Sequence, residues 1–126
     1  MKFAILATLA GVASAGNPVP VMPTLPGWRL GSPDGEIDVR VFYDLLCPDS
    51  MDAHYIWKDL LNKASPINGK TYGDVVNMRV TPFVLPYHVH SFQITQVVPY
   101  LQDLCVADST TCGNMEAYAE LSWKHW

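Results

Sequence analysis

The sequence predicts a small α/β domain built on one strand–helix–strand unit, and three observations carry that reading. A β-branched and aromatic run from Val39 to Phe42 leads into Cys47-Pro48-Asp49-Ser50. The residues that follow have helical spacing, with Ile56, Leu60 and Ala64 at i, i+4 and i+8 and Trp57 and Leu61 beside them. A second β-rich run then includes Val75, Val76, Met78, Val80 and Phe83. Elements in this order form a right-handed crossover that leaves the two strands parallel in one sheet.

The chain opens with Lys2, an apolar run from Phe3 to Val12, and Ala13-Ser14-Ala15. This is the pattern of a secretory signal peptide, residues 1–15, cut after Ala15. No later stretch approaches the roughly 20 apolar residues a membrane helix needs. The expected location is therefore outside the cell or in the lumen of the secretory pathway, with no membrane attachment after cleavage. About 110 residues remain, which suits one domain. A net charge of −4 and a pI near 5.3 argue against nucleic acid and anionic membranes as partners.

Residues 16–35 carry Pro18, Pro20, Pro23, Pro26 and Pro33 and read as an extended leader, with Trp28 and Leu30 available to pack it down. Ser32-Pro33-Asp34-Gly35 is a turn signal, and the folded domain, residues 36–126, is expected to start just after it. The near-continuous apolar character of Ile37–Tyr43 predicts a strand buried on both faces in the middle of the sheet. A helix follows from Pro48 to about Ala64, with proline suited to its first position and Lys58 and Asp59 facing water.

Cys47 falls at the N-cap of that helix, where unpaired N–H groups and the helix dipole favour thiolate over thiol. Asp49 and Asp52 in the first turn oppose a further negative charge there. Asn68-Gly69 marks the next turn, and the second strand is expected to begin near Asp74. Pro82 should end its pairing or place it at an edge. Parallel strands share one C-terminal side, so the segment Leu85–His90 should emerge near Cys47.

Ser91 can cap a helix from Phe92 to about Cys105, with Ile94, Val97, Val98, Leu101 and Leu104 on its apolar face and a kink at Pro99. A last helix from about Asn114 presents Met115, Tyr118, Ala119, Leu121 and Trp123. Cys105 and Cys112 bracket the turn between these helices. Three pairings of the cysteines exist in principle. An oxidising compartment favours a Cys105–Cys112 disulfide, which leaves Cys47 as the odd thiol.

The segment Asp44-Leu45-Leu46-Cys47-Pro48-Asp49-Ser50 before a helix, followed later by Pro82-Phe83-Val84-Leu85-Pro86-Tyr87-His88, resembles the thioredoxin-fold superfamily. The closest branch is the DsbA-like one, in which a helical insertion follows the second strand; here that insertion begins at Ser91. The resemblance implies that Cys47 is the nucleophile of thiol–disulfide exchange. Two departures qualify it. Ser50 stands where the family has its resolving cysteine, so only a monothiol route remains. In that route glutathione or another external thiol is the co-substrate, and Ser50 would donate a hydrogen bond to the Cys47 thiolate. The sequence also lacks a recognisable C-terminal β-hairpin and closing helix, and with them the family's cis-proline loop.

The candidate catalytic set is Cys47, Ser50 and His88, the last as an imidazolium that stabilises the thiolate. Pro48, Tyr87 and His90 flank it as candidate substrate contacts. The expected partner is a small thiol or a cysteine-containing protein, with no resident cofactor and no metal assigned. Two other classes compete with this reading. One is a non-enzymatic peptide- or protein-binding module using the groove by Cys47 and His88. The other is a metal-binding protein that takes its ligands from His54, His88, His90 and the thiolate.

Overall fold

A computed structural model describes residues 25–125 apart from Asn68. The signal peptide, the first part of the Pro-rich leader and Trp126 lie outside the described residues. The sheet holds three strands, β1 (Trp28–Gly31), β2 (Ile37–Tyr43) and β3 (Val76–Pro82), in the order β1-β3-β2. β2 and β3 are parallel from the Ile37–Val76 pair to the Tyr43–Pro82 pair, as a strand–helix–strand unit requires. β1 joins β3 antiparallel, with Trp28 opposite Val80.

β1 comes from the stretch expected to be a leader. That stretch is extended, and Trp28 and Leu30 are buried as the composition suggested. It is nonetheless paired into the sheet, so the folded domain already includes Trp28 and does not begin after the turn. The turn itself forms where expected, with the Gly35 N–H donating to the Ser32 carbonyl at 3.2 Å. Gly31 enters it at φ +74°, and a side chain there would run into the Val76 carbonyl.

The strand expected in the middle of the sheet is at its edge. Residues 37–42 of β2 are exposed or half-buried and only Tyr43 is buried, whereas Val76, Met78 and Val80 of β3 are all buried. An apolar run reports how much side-chain surface a strand can bury. It does not report which strands flank it, and here β1 takes the second side of β3. Pro82 ends the pairing as expected, but as the last residue of the central strand.

α1 (Pro48–Leu61) begins at its proline and stops short of Ala64. Its buried face differs from the expected stripe: Ile56 is 67% exposed, while His54 and Leu61 are buried and Trp57 packs against the core. These three lie at i, i+3 and i+7, the spacing of one helix face. Lys58 keeps part of its side chain in water, as expected, while its ammonium reaches the last helix. Where a strand was expected from Asp74 there is one helical turn, α2 (Tyr72–Val75). A capping box explains it: the Thr71 hydroxyl accepts the Asp74 N–H at 3.3 Å, and Asp74 accepts the Thr71 N–H at 2.7 Å.

The expected helix after Ser91 is two pieces, α3 (Ser91–Thr95) and α4 (Val97–Ala107), interrupted at Gln96. Pro99 has no N–H for the carbonyl of Thr95, four residues back, so the break falls one turn before the proline. Ser91 is the first helical residue and not the cap; His90 holds that position without a side-chain cap bond. A 3₁₀ turn (Ser109–Thr111) leads to α5 (Asn114–Lys124), which buries Met115, Ala119 and Trp123 but leaves Leu121 exposed. Cys105 and Cys112 are disulfide-bonded across this turn, with their Cα atoms 4.4 Å apart. The core joins the inner face of the sheet, through Trp28, Leu30, Met78 and Val80, to Leu61, Val98, Ala119 and Trp123 of the helices.

Candidate functional site

Cys47 is the free cysteine of the three in the chain, and it occupies the N-cap of α1 with no side-chain cap hydrogen bond. Its relative exposure is 7%, so the residue is buried. Two backbone hydrogen bonds fix it there. Its N–H donates to the Asp44 carbonyl at 3.1 Å, and its carbonyl accepts the Met51 N–H at 3.1 Å. Pro48, the first helical residue, is exposed beside it.

The residue that organises this end of the sheet is Asp44, which sequence reading placed only in a turn motif. It is buried at the end of β2. One carboxylate oxygen accepts the Leu46 N–H at 2.8 Å and the Ser91 hydroxyl at 2.6 Å. The other accepts the Leu85 N–H at 2.6 Å and lies 3.2 Å from His88 Nδ1. Its carbonyl also accepts the Trp123 indole N–H at 3.1 Å. Burial opposes ionisation, but the bonds from Ser91, Leu85, Leu46 and His88 outweigh it and hold the Asp44 carboxyl below the ordinary carboxylate value.

The segment after β3 therefore returns to the end of the sheet that carries the Cys47 turn, as parallel topology requires. The Asp44 carboxylate ties the two segments together, through the Leu85 N–H and His88. His88 is mostly buried and faces Asp44. His90 is exposed, its Nδ1 3.0 Å from Gln93 Oε1. Tyr87 is exposed and meets the His88 ring edge-on, with centroids 4.7 Å apart. The Ser50 hydroxyl accepts the Asp44 N–H at 3.2 Å, which leaves its own O–H available to donate. It thus supports the turn under Cys47 from the first helical turn.

His54 belongs to a second cluster, apart from His88 and His90. Its ring is fully buried against the rings of Trp28, Tyr43 and Trp123. His54 Nε2 lies 3.3 Å from Glu120 Oε1 and 3.6 Å from Glu116 Oε1. Burial lowers the His54 pKa, and its hydrogen bond to Glu120 and the charge of Glu116 only partly offset this. His54, Glu116 and Glu120 are close enough to share a cation. The cation already there is Lys58, whose ammonium lies 2.8 Å from Glu116 Oε1 and 2.7 Å from Glu120 Oε1. These hydrogen bonds raise the Lys58 pKa, and the bond from Lys58 is the largest influence lowering that of Glu120. The arrangement is an ion-pair network closing α1 onto α5. The sequence offered one usable sign of it: Glu116 and Glu120 share a helix face at i and i+4.

Comparison with protein families, with curated proteins and with solved structures finds no match to this chain. The reading of function rests on the geometry above.

Proposed function

We propose that the protein is a thioredoxin-fold monothiol that exchanges disulfides through Cys47. The observation that supports this is the position of the one free cysteine, at the start of α1, while the other two close a separate loop. The Cys47 thiolate attacks one sulfur of a substrate disulfide; the second sulfur leaves as a thiolate, and a Cys47 mixed disulfide remains. The thiolate of an external thiol such as glutathione then attacks the substrate sulfur of that mixed disulfide, forming a new disulfide with it and releasing Cys47 as the thiolate. Electrons and sulfurs balance without a second protein cysteine, as Ser50 in the resolving position demands. His88 acts through Asp44 in this scheme, by fixing the turn, and is a positioning residue.

The test is the rate of alkylation against pH, with mass spectrometry locating the label, alongside turnover of a glutathionylated peptide by wild type and Cys47→Ala. Labelling at Cys47 with turnover lost in the variant is the expected result. Turnover that survives Cys47→Ala removes the nucleophile and the proposal with it. A non-enzymatic binding module is the second reading. It is favoured by the low exposure of Cys47 and by the open edge of β2, where Phe42 and Phe83 are each more than half exposed and meet edge-on at 6.3 Å.

A further inference from the structure

Arg29, Arg79 and Arg40 stand in one row across the sheet: Arg29 pairs with Arg79, and Arg79 pairs with Arg40. All three are exposed, on the face opposite the buried Leu30, Met78 and Val80. Like charges directly opposite on neighbouring strands destabilise a sheet. Among the described residues no acidic side chain is ion-paired to this row; Asp38, on the same face of β2, is bonded to Asn77 instead. None of the three arginines forms a side-chain hydrogen bond or ion pair with another described residue. The chain as a whole carries −4, so this concentration of positive charge is local.

The same three arginines line a cavity of about 720 Å³ together with Thr81, Gln102 and Glu116. That volume is in the range of small-ligand sites. Thr81 and Gln102 offer neutral hydrogen-bonding groups, and the one carboxylate, Glu116, is already paired with Lys58. Guanidinium groups bind phosphate and carboxylate in pairs of parallel hydrogen bonds, and across two strand spacings the row spans about 9–10 Å. We infer that this cavity binds a small polyanion carrying two or more phosphate or carboxylate groups. The ligand supplies the ion-pairing partners that the arginine row lacks, and each guanidinium takes one anionic group or shares one with its neighbour. The proposal is independent of Cys47 chemistry.

Calorimetric titration of the protein with tripolyphosphate, citrate and orthophosphate at low and at physiological salt tests it. Saturable binding of tripolyphosphate or citrate, tighter than that of orthophosphate and weakened by salt, is the expected result. Which of the two polyanions binds identifies the anionic group. Arg79→Gln, at the centre of the row, should weaken binding about tenfold or more, while the ligand-free melting temperature stays the same or rises because the repulsion is relieved. Arg40→Gln, on the exposed edge strand, gives the same test should the central variant fold poorly. Absence of saturable binding, affinity unchanged in the arginine variants, or an equal loss on Lys63→Gln outside the cavity would each overturn the proposal.

Discussion

The Ser91 hydroxyl donates to the Asp44 carboxylate at 2.6 Å, and both side chains are buried. This bond joins the first residue of α3 to the end of β2. Ser91→Ala leaves a buried, charged acceptor one donor short. The expected loss is about 1.5–3 kcal/mol in urea unfolding, the range for hydrogen bonds to charged groups. A loss under about 0.5 kcal/mol would mean that the bond contributes nothing net.

The Asp44 carboxyl sits below its ordinary value of 3.8 in the folded state, so the unfolded chain binds a proton there first. Its stabilising contribution is fully present above that value and is lost as pH falls through the lower folded one. Asp44→Asn should therefore be less stable than wild type near neutrality and show a shallower decline on acidification. Urea midpoints measured across the acidic range check this; parallel curves for the two proteins would contradict it.

His54 gives the second pH effect. Its folded pKa is lowered by burial, so the ring is neutral in the folded protein under conditions where the unfolded chain would be protonated. Stability is retained above the ordinary value of 6.5 and falls as pH drops below it toward the folded pKa. The NMR titration of the His54 ring should have its midpoint below 6.5. A midpoint above that value would show the two glutamates outweighing burial.

The Cys105–Cys112 bond closes a loop between positions seven apart. Replacing both residues by serine should cost about 2–3 kcal/mol by the loop-entropy relation for so short a ring. The thermal midpoint should fall, while the rate of labelling at Cys47 stays unchanged because the two sites are separate.

Ser50→Cys places a second thiol three residues after Cys47. If Cys47 is the nucleophile, this variant should lose both free thiols under mild oxidation and turn over substrate without an external thiol to resolve the mixed disulfide. It also exchanges the hydroxyl acceptor of the Asp44 N–H for a weaker sulfur, at about 1 kcal/mol of stability. Two thiols that stay free would place the positions out of reach of each other.

Much of the fold was legible because its signals are local. Pro48 marked a helix start, Ser32–Gly35 a turn, and Asn114 the last helix, each from its own side chains. Strand order was not legible, since β1 reaches β3 across nearly fifty residues and carries only Trp28 and Leu30 as a sign. Asp44 was missed for the same reason. A buried carboxylate is identified by its donors, and Leu85 and Ser91 are distant in the chain. The arginine row was invisible until the strand register aligned Arg29, Arg79 and Arg40.

The three long-range donors to Asp44 lie 41, 47 and 79 residues along the chain from it. None can form during synthesis until β3, α3 and α5 have in turn emerged and docked. Cys105 and Cys112, seven residues apart, can meet over a much shorter loop than either must close to reach Cys47. That difference in closure gives the two a kinetic advantage in finding each other.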